Sequence, residues 1–334
     1  MERRGVNVLV TGGTGFVGGA LARRLGAEGA RVMALGRNPA SGARLERDGV
    51  VFLRADLADA DAMAQACRGQ DVVFHCGALA SPWGSYQRFY AANVTGTENV
   101  IRGCQQHGVR RLVHVSTPSV YFGRQPRLNV REDAPLPSKP LSRYAATKRL
   151  AELAVDRAHA AGLPTITLRP RAIFGPGDNV LLPRLIRQLQ TGRLRIIGTG
   201  DTVIDLTYID NVVDALLLCA DAPPAALGCT YNITNGETVR LWDMVARLAE
   251  ALGYPAPRRR LSLGAALAVA GALEAVYTFL PGREPPLTCY TVRMLAQDST
   301  LDITAARRDL GYAPRVSVEE GLQRFIAWWK STHA

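Results

Sequence analysis

The sequence predicts an α/β chain built on a doubly wound parallel sheet, with a smaller C-terminal lobe. Three observations predict it. An apolar run, Val8-Leu-Val-Thr11, enters Gly12-Gly13-Thr14-Gly15-Phe16-Val17-Gly18 and leaves as a helix with apolar Phe16, Ala20 and Leu21. Strand and helix patterns then alternate to about residue 168, as right-handed parallel crossovers require. After Pro170 the alternation gives way to Pro- and Gly-rich segments.

The glycine spacing Gly12-x-x-Gly15-x-x-Gly18 assigns each glycine a physical task. Gly12 allows the tight turn, Gly15 lets backbone approach a pyrophosphate, and Gly18 lets the helix pack close to the sheet. The helix N-terminus adds unpaired amides and a positive dipole end. Gly12, Thr14, Gly15, Phe16, Val17 and Gly18 are therefore candidate dinucleotide contacts in a Rossmann-type fold. Strands are expected at Val6–Thr11, Arg31–Leu35, Val50–Arg54, Asp71–His75, Arg111–Val115 and Thr165–Leu168, with helices such as Asp61–Cys67, Phe89–His107 and Ser142–Ala161 between them. The loops 11–18 and 75–80 should meet at the switch point and form the cofactor crevice. The dinucleotide domain is expected to span 1–180, with a strand and helix in 201–221 rejoining its sheet. Segments 181–200, with a helix near Leu182–Thr191, and 222–334 form the substrate lobe.

The second strand runs into Ala34-Leu35-Gly36-Arg37-Asn38. An acid at this end suits the ribose hydroxyl of NAD, whereas an Arg suits a 2′-phosphate. No acid stands there, so Arg37 favours NADPH. Tyr144-Ala-Ala-Thr-Lys148 places a Tyr and a Lys one turn apart on a helix face. That helix follows the fifth strand, which leads into Ser116-Thr117 at the carboxyl edge where such sheets bind ligands.

The formal charge is +11, yet the basic residues are dispersed, which argues against nucleic acid. A positive field draws in acidic ligands such as NADPH, a carboxylate or a coenzyme A ester. The six cysteines form no C-x-x-C pair, so neither a zinc site nor a disulfide framework is expected. The first strand begins within a few residues, so no signal peptide is expected and the cytoplasm is the expected location. One stretch stands apart. Leu261–Gly282 is apolar but for Glu274 and follows Arg258-Arg259-Arg260. It reads as a buried or substrate-covering helix, with a helix lying on a membrane surface or a partner protein, or a true membrane span, as the competing readings.

Together these residues resemble the short-chain dehydrogenase/reductase superfamily in its extended branch. The matching motifs are the glycine triplet, Asp56-Leu57, His75-Cys-Gly-Ala78, Asn93-Val-Thr-Gly-Thr-Glu-Asn99, Ser116-Thr117 and Tyr144/Lys148. The resemblance implies that Tyr144 donates or accepts the proton, with Lys148 as its partner. It implies that Thr117 binds the reacting oxygen, and that Asp56, Leu57 and Ile173 join the cofactor contacts. Three departures narrow the chemistry. Thr117-Pro118-Ser119 lacks the two acids of the nucleotide-sugar dehydratases, Ala172 replaces an epimerase Asn, and Ile204 replaces a phosphate-binding Arg. Segments 168–175 and 205–213 are instead similar to the 3β-hydroxysteroid and sterol-4-carboxylate dehydrogenases. The whole chain resembles a bacterial group in that branch, the 2-alkyl-3-oxoalkanoate reductases of olefin biosynthesis. The implied reaction is NADPH-dependent reduction of a lipophilic β-keto acid. NAD-linked 3β-hydroxysteroid oxidation and nucleotide-sugar epimerisation are the alternatives. Arg171 is a candidate for the substrate carboxylate, against an ion pair at the surface or between lobes. A homodimer is expected.

Overall fold

The structure is a computed structural model that describes residues 3–280 and 282–333. Pro281, within the 261–282 stretch, and the extreme termini of the two expected domains lie outside the described residues.

Seven parallel strands form the main sheet. They are β1 (Asn7–Thr11), β2 (Arg31–Gly36), β3 (Val51–Arg54), β4 (Val72–His75), β5 (Arg111–Val115), Thr165–Pro170 and Thr230–Ile233. In space the order is Thr230–Ile233, Thr165–Pro170, β5, β4, β1, β2, β3. The chain leaves β1 toward β2 and β3, then returns to β4 on the other side. Thr11 at the end of β1 is in register with Leu35 on one side and His75 on the other. That reversal opens the crevice at the carboxyl edge.

Both faces of the sheet are covered, which is why its central strands read as unbroken apolar runs. On one face, Leu21, Leu25, Val212 and Leu216 pack against Val8, Val10, Phe74 and Val113. On the other, Met63, Cys67, Val100, Cys104 and Val155 pack against Leu9, Val73 and Leu112. Each such side chain contributes about 1.5–3 kcal/mol on leaving water. A second core, with Leu182, Ile186, Trp242, Leu248 and Phe325 at its centre, builds the C-terminal lobe.

Several elements differ from the sequence expectation. The strand that rejoins the sheet is Thr230–Ile233, not part of 201–221. Val203–Asp205 belongs to a separate four-stranded sheet, and Thr207–Tyr208 pairs with Ile173–Phe174. The helix Ile209–Asp221 does return to cover the main sheet. The 89–107 helix is instead an α-helix Tyr86–Tyr90, a π-turn Ala91–Thr95 and an α-helix Gly96–Gln106. Between β2 and β3 the expected crossover helix is Pro39–Arg47, which starts where Asn38 caps the amides of Ala40 and Ser41 and Pro39 supplies a preset φ.

The apolar stretch forms a helix at Leu263–Thr278 that is not buried. Only Ala266 and Ala270 are fully covered, while Val269, Val276, Phe279 and Leu280 are exposed. Glu274, its lone acid, accepts a 2.8 Å hydrogen bond from the Cys289 amide and so caps the next helix, Cys289–Ala296. Among the described residues no helix is long and apolar enough to cross a membrane.

Candidate active site

The glycine turn closes through Gly13 N–H to Leu35 O and Gly15 N–H to Gly12 O, at 2.8 and 2.9 Å. Gly12 has φ +68°, and a Cβ there would lie 2.6 Å from Gly77 Cα. A Cβ on Gly18 would strike the Gly12 carbonyl, and Thr14 fills the space beside Gly36. The helix Phe16–Ala27 begins at Gly15 with no side-chain cap, so the first-turn amides of Phe16, Val17 and Gly18 lack helical acceptors. These residues fit a dinucleotide: a cradle with no room for side chains, and free donors where the pyrophosphate would lie.

At the end of β2 the Arg37 side chain is 70% exposed and lies 3.4 Å from Asp56, itself half exposed. Such a pair is weak and leaves the guanidinium free to take another anion. Leu57 packs against Gly77 and Gly96, and its carbonyl accepts from Asn99 at 2.9 Å. Asn93, inside the π-turn, clamps the facing loop through Leu79 N–H at 2.7 Å and reaches Thr147 Oγ1 at 3.1 Å. π-turns commonly occur at functional sites.

Tyr144 and Lys148 lie in the helix Arg143–Ala160, capped by Ser142 Oγ on the Ala145 amide. The Tyr144 hydroxyl lies beside the Thr117 side chain, which favours its charged form. Burial pushes the phenol well above its ordinary value, aided by Tyr290, so it is held protonated. Lys148 is buried, and its ammonium donates to Val115 O at 2.8 Å and lies 3.2 Å from His114 Nε2. Burial lowers Lys148 to about 8, against the raising effect of Glu152. The two neighbouring imidazoles are held neutral by burial and by Lys148, His75 down to about 3 and His114 also well below its ordinary value. His75 is fixed between Thr11 Oγ1 and Thr97 Oγ1 at 2.7 and 2.9 Å.

Thr117 is the member of the Ser116-Thr117 pair that meets Tyr144. The Ser116 hydroxyl is buried with no hydrogen-bond partner. Thr117 Oγ1 donates to Ser119 Oγ at 3.0 Å, and Ser119 Oγ lies 2.9 Å from the Tyr290 hydroxyl. Ile173 is half buried at the seam, packed against the cores of both lobes. Arg171 is 7% exposed, stacked 4.5 Å from the Phe122 ring and hydrogen-bonded to Ser299 Oγ. It is not at the surface, and among the described residues it has no ion-pair partner.

Sequence reasoning missed His114, Ser119 and Tyr290. Ser119 stood in a quoted segment but was read only as a missing acid. Tyr290 joins it across 171 residues, a separation that no local motif spans. Among the described residues no cluster of three or more His, Cys, Asp or Glu side chains is arranged to hold a metal.

Residues 8–234 match the model of the NAD dependent epimerase/dehydratase family. The chain is 43% identical over 328 residues to the 2-alkyl-3-oxoalkanoate reductase of Stenotrophomonas maltophilia (strain K279a), covering 96% of this chain and 99% of that one. It is 37% identical over 291 residues to 3beta-hydroxysteroid-dehydrogenase/decarboxylase isoform 1 of Arabidopsis thaliana, covering 83% of this chain and 66% of that one. Among solved structures it resembles MoeE5 in complex with UDP-glucose and NAD, with TM-score 0.77 and 28% identity over 98% of this chain and all of the other. A Rossmann sheet with a glycine cradle, and a tyrosine and threonine meeting at its carboxyl edge, stand alongside this agreement. The chain belongs to the NAD dependent epimerase/dehydratase family, the extended short-chain dehydrogenase/reductases, and is an oxidoreductase acting on a CH–OH/C=O pair.

Proposed function

We propose that the enzyme uses NADPH to reduce the 3-oxo group of a lipophilic β-keto acid to the β-hydroxy acid, a step of long-chain olefin formation. The observation that carries the reading is the buried Tyr144 phenol, kept protonated by burial, beside the Thr117 hydroxyl. In the reducing direction Tyr144 starts with its proton and gives it to the oxygen as negative charge develops there. Thr117, turning its proton from Ser119 Oγ, donates a second hydrogen bond to that oxygen. Lys148, anchored on Val115 O beside His114, places a positive charge beneath the site. The cofactor would be held by Gly12, Thr14, Gly15, Phe16, Val17 and Gly18 at its phosphates. Arg37 would meet the 2′-phosphate, Asp56 and Leu57 the adenine side, and Tyr144, Lys148 and Ile173 the nicotinamide side. When bound it supplies the hydride to the carbonyl carbon.

The 43% identical relative named for 2-alkyl-3-oxoalkanoates supports the substrate class. The exposed Arg37 supports NADPH over the NAD of MoeE5. Buried Ile204 and positive-φ Ala172, where epimerases carry polar contacts, weigh against a nucleotide sugar. The apolar flank of Leu263–Thr278 beside exposed Arg258, Arg259 and Arg260 supports peripheral contact with an anionic lipid surface.

The test is loss of nicotinamide absorbance with NADPH or NADH against long 3-oxo acids, steroids and UDP-sugars. Because β-keto acids decarboxylate, oxidation of the stable 3-hydroxy acid with NADP+ is run beside it. The 3-oxo acid with NADPH should be the preferred pair, and Tyr144→Phe should lose at least about a hundredfold in kcat while still binding cofactor. Full activity in that variant, or preference for a steroid with NAD, would overturn the reading.

A further inference from the structure

The strand Thr165–Pro170 and the residue just beyond it bring two buried arginines into the molecule, and they are treated differently. Arg169 forms a fork on Glu152, at 2.8 and 2.6 Å, and also donates to the Tyr121 hydroxyl. Arg171 has no such partner. Its Nη2 reaches Ser299 Oγ, its Nη1 has only the Met294 sulfur at 3.8 Å, and its Nε is buried with no hydrogen-bond partner. Among the described residues no carboxylate forms a salt bridge to it. Asp205, the one acid whose charge bears on it, is committed to the Leu301 amide at 2.6 Å.

An unpaired buried guanidinium is costly, yet this one is held firmly. The Arg171 amide donates to Ile233 O at 3.0 Å, and its carbonyl accepts from Thr207 Oγ1. Ala172 beside it sits at φ +42°, strain that only a surrounding structure over-determining the turn sustains. The Nε proton has no acceptor and Nη1 has only a sulfur, so the guanidinium keeps unspent donors of the kind a carboxylate takes. The charge also lies near the chemistry. Its Met294 contact is one turn along the helix Cys289–Ala296 from Tyr290, and the Tyr290 hydroxyl is joined to Thr117 through Ser119.

We propose that Arg171 is the anchor for a carboxylate on the substrate, placed so that the carbonyl two bonds away lies against Thr117 and Tyr144. This rests on the reading above for the position of the carbonyl. In a β-keto acid a single carbon separates carbonyl and carboxyl carbons, so an oxygen held at Thr117 brings the carboxylate within a few ångströms of it. A simple ketone or a steroid without the acid leaves the arginine unpaired. The chain therefore selects acids, and Arg171 is the residue that sets the preference.

The test is calorimetric binding of a long-chain 3-hydroxy acid and of its methyl ester to the full chain with NADP+ bound. Wild type, Arg171→Met and Arg171→Lys are compared, with thermal midpoints recorded for each. Wild type should favour the acid by about ten- to a hundredfold, the range of a charge-assisted pair. Arg171→Met should bring the ratio to about one, and Arg171→Lys should keep part of it. Arg171→Met relieves a desolvated charge but takes a partner from Ser299 and a counter-charge from Asp205, so its thermal midpoint should stay within a few degrees of wild type. A purely structural arginine would leave the acid-to-ester ratio unchanged in any variant that folds, and that result overturns the proposal. Acid selectivity lost in Arg171→Met, in a chain that reduces no 3-oxo acid, would sustain this proposal and remove the reduction reading. Reduction of 3-oxo acids with acid and ester bound equally would do the reverse.

Discussion

Lys148 shows how burial sets a residue's behaviour. Its folded value of about 8 lies below the 10.5 of an unfolded lysine, so the folded chain binds fewer protons between those values. Stability contributed by this group is lowest below about pH 8, where both states are protonated, and rises toward pH 10.5. The full span is on the order of 3 kcal/mol. Urea midpoints from pH 7 to 10 should therefore climb in wild type relative to Lys148→Met, and parallel curves would contradict the assignment. The residues legible in the sequence were those whose meaning is local. Gly12, Gly15 and Gly18 are three apart, and Tyr144 and Lys148 are one turn apart. His114 supports Lys148 from another strand, and nothing in its sequence neighbourhood announces that.

Among the elements, legibility follows length and self-sufficiency. The buried strands β1, β2, β4 and β5 are runs of apolar residues and were placed to within a residue or so. Thr230–Ile233 is only four residues with an Asn inside, and it becomes a strand by pairing along Thr167–Pro170. The π-turn Ala91–Thr95 adds a residue to a turn without changing the apolar pattern, so periodicity shows one continuous helix. The exposed helix Leu263–Thr278 read as buried because composition reports apolarity and not which neighbours cover it. Glu274 ties that helix to Cys289–Ala296, the helix that carries Tyr290. Removing this contact in Glu274→Ala should cost about 1 kcal/mol and raise KM more than it lowers kcat, because the carboxylate end of the site loosens first. An unchanged urea midpoint would show that the cap is idle.

For the whole molecule, the excess of 11 positive charges and the apolar flank act together. Phe279 is 84% exposed and Val276 58%, a surface that costs little in water only if something covers it for part of the time. Sedimentation with anionic vesicles should recover the chain at low salt and lose it at high salt. Phe279→Ser with Val276→Ser should weaken recovery severalfold, and equal recovery on neutral vesicles would dismiss the electrostatic share. The order of strands also has a temporal side. A nascent chain that has just passed residue 221 owns six of the seven main strands, with Thr165–Pro170 still an open edge. Its closing strand arrives only with Thr230–Ile233, where Asn232 then binds Val130 O, Glu132 and Tyr121 together. Until then that rim is a template for wrong pairing, for the interval in which those last residues are made.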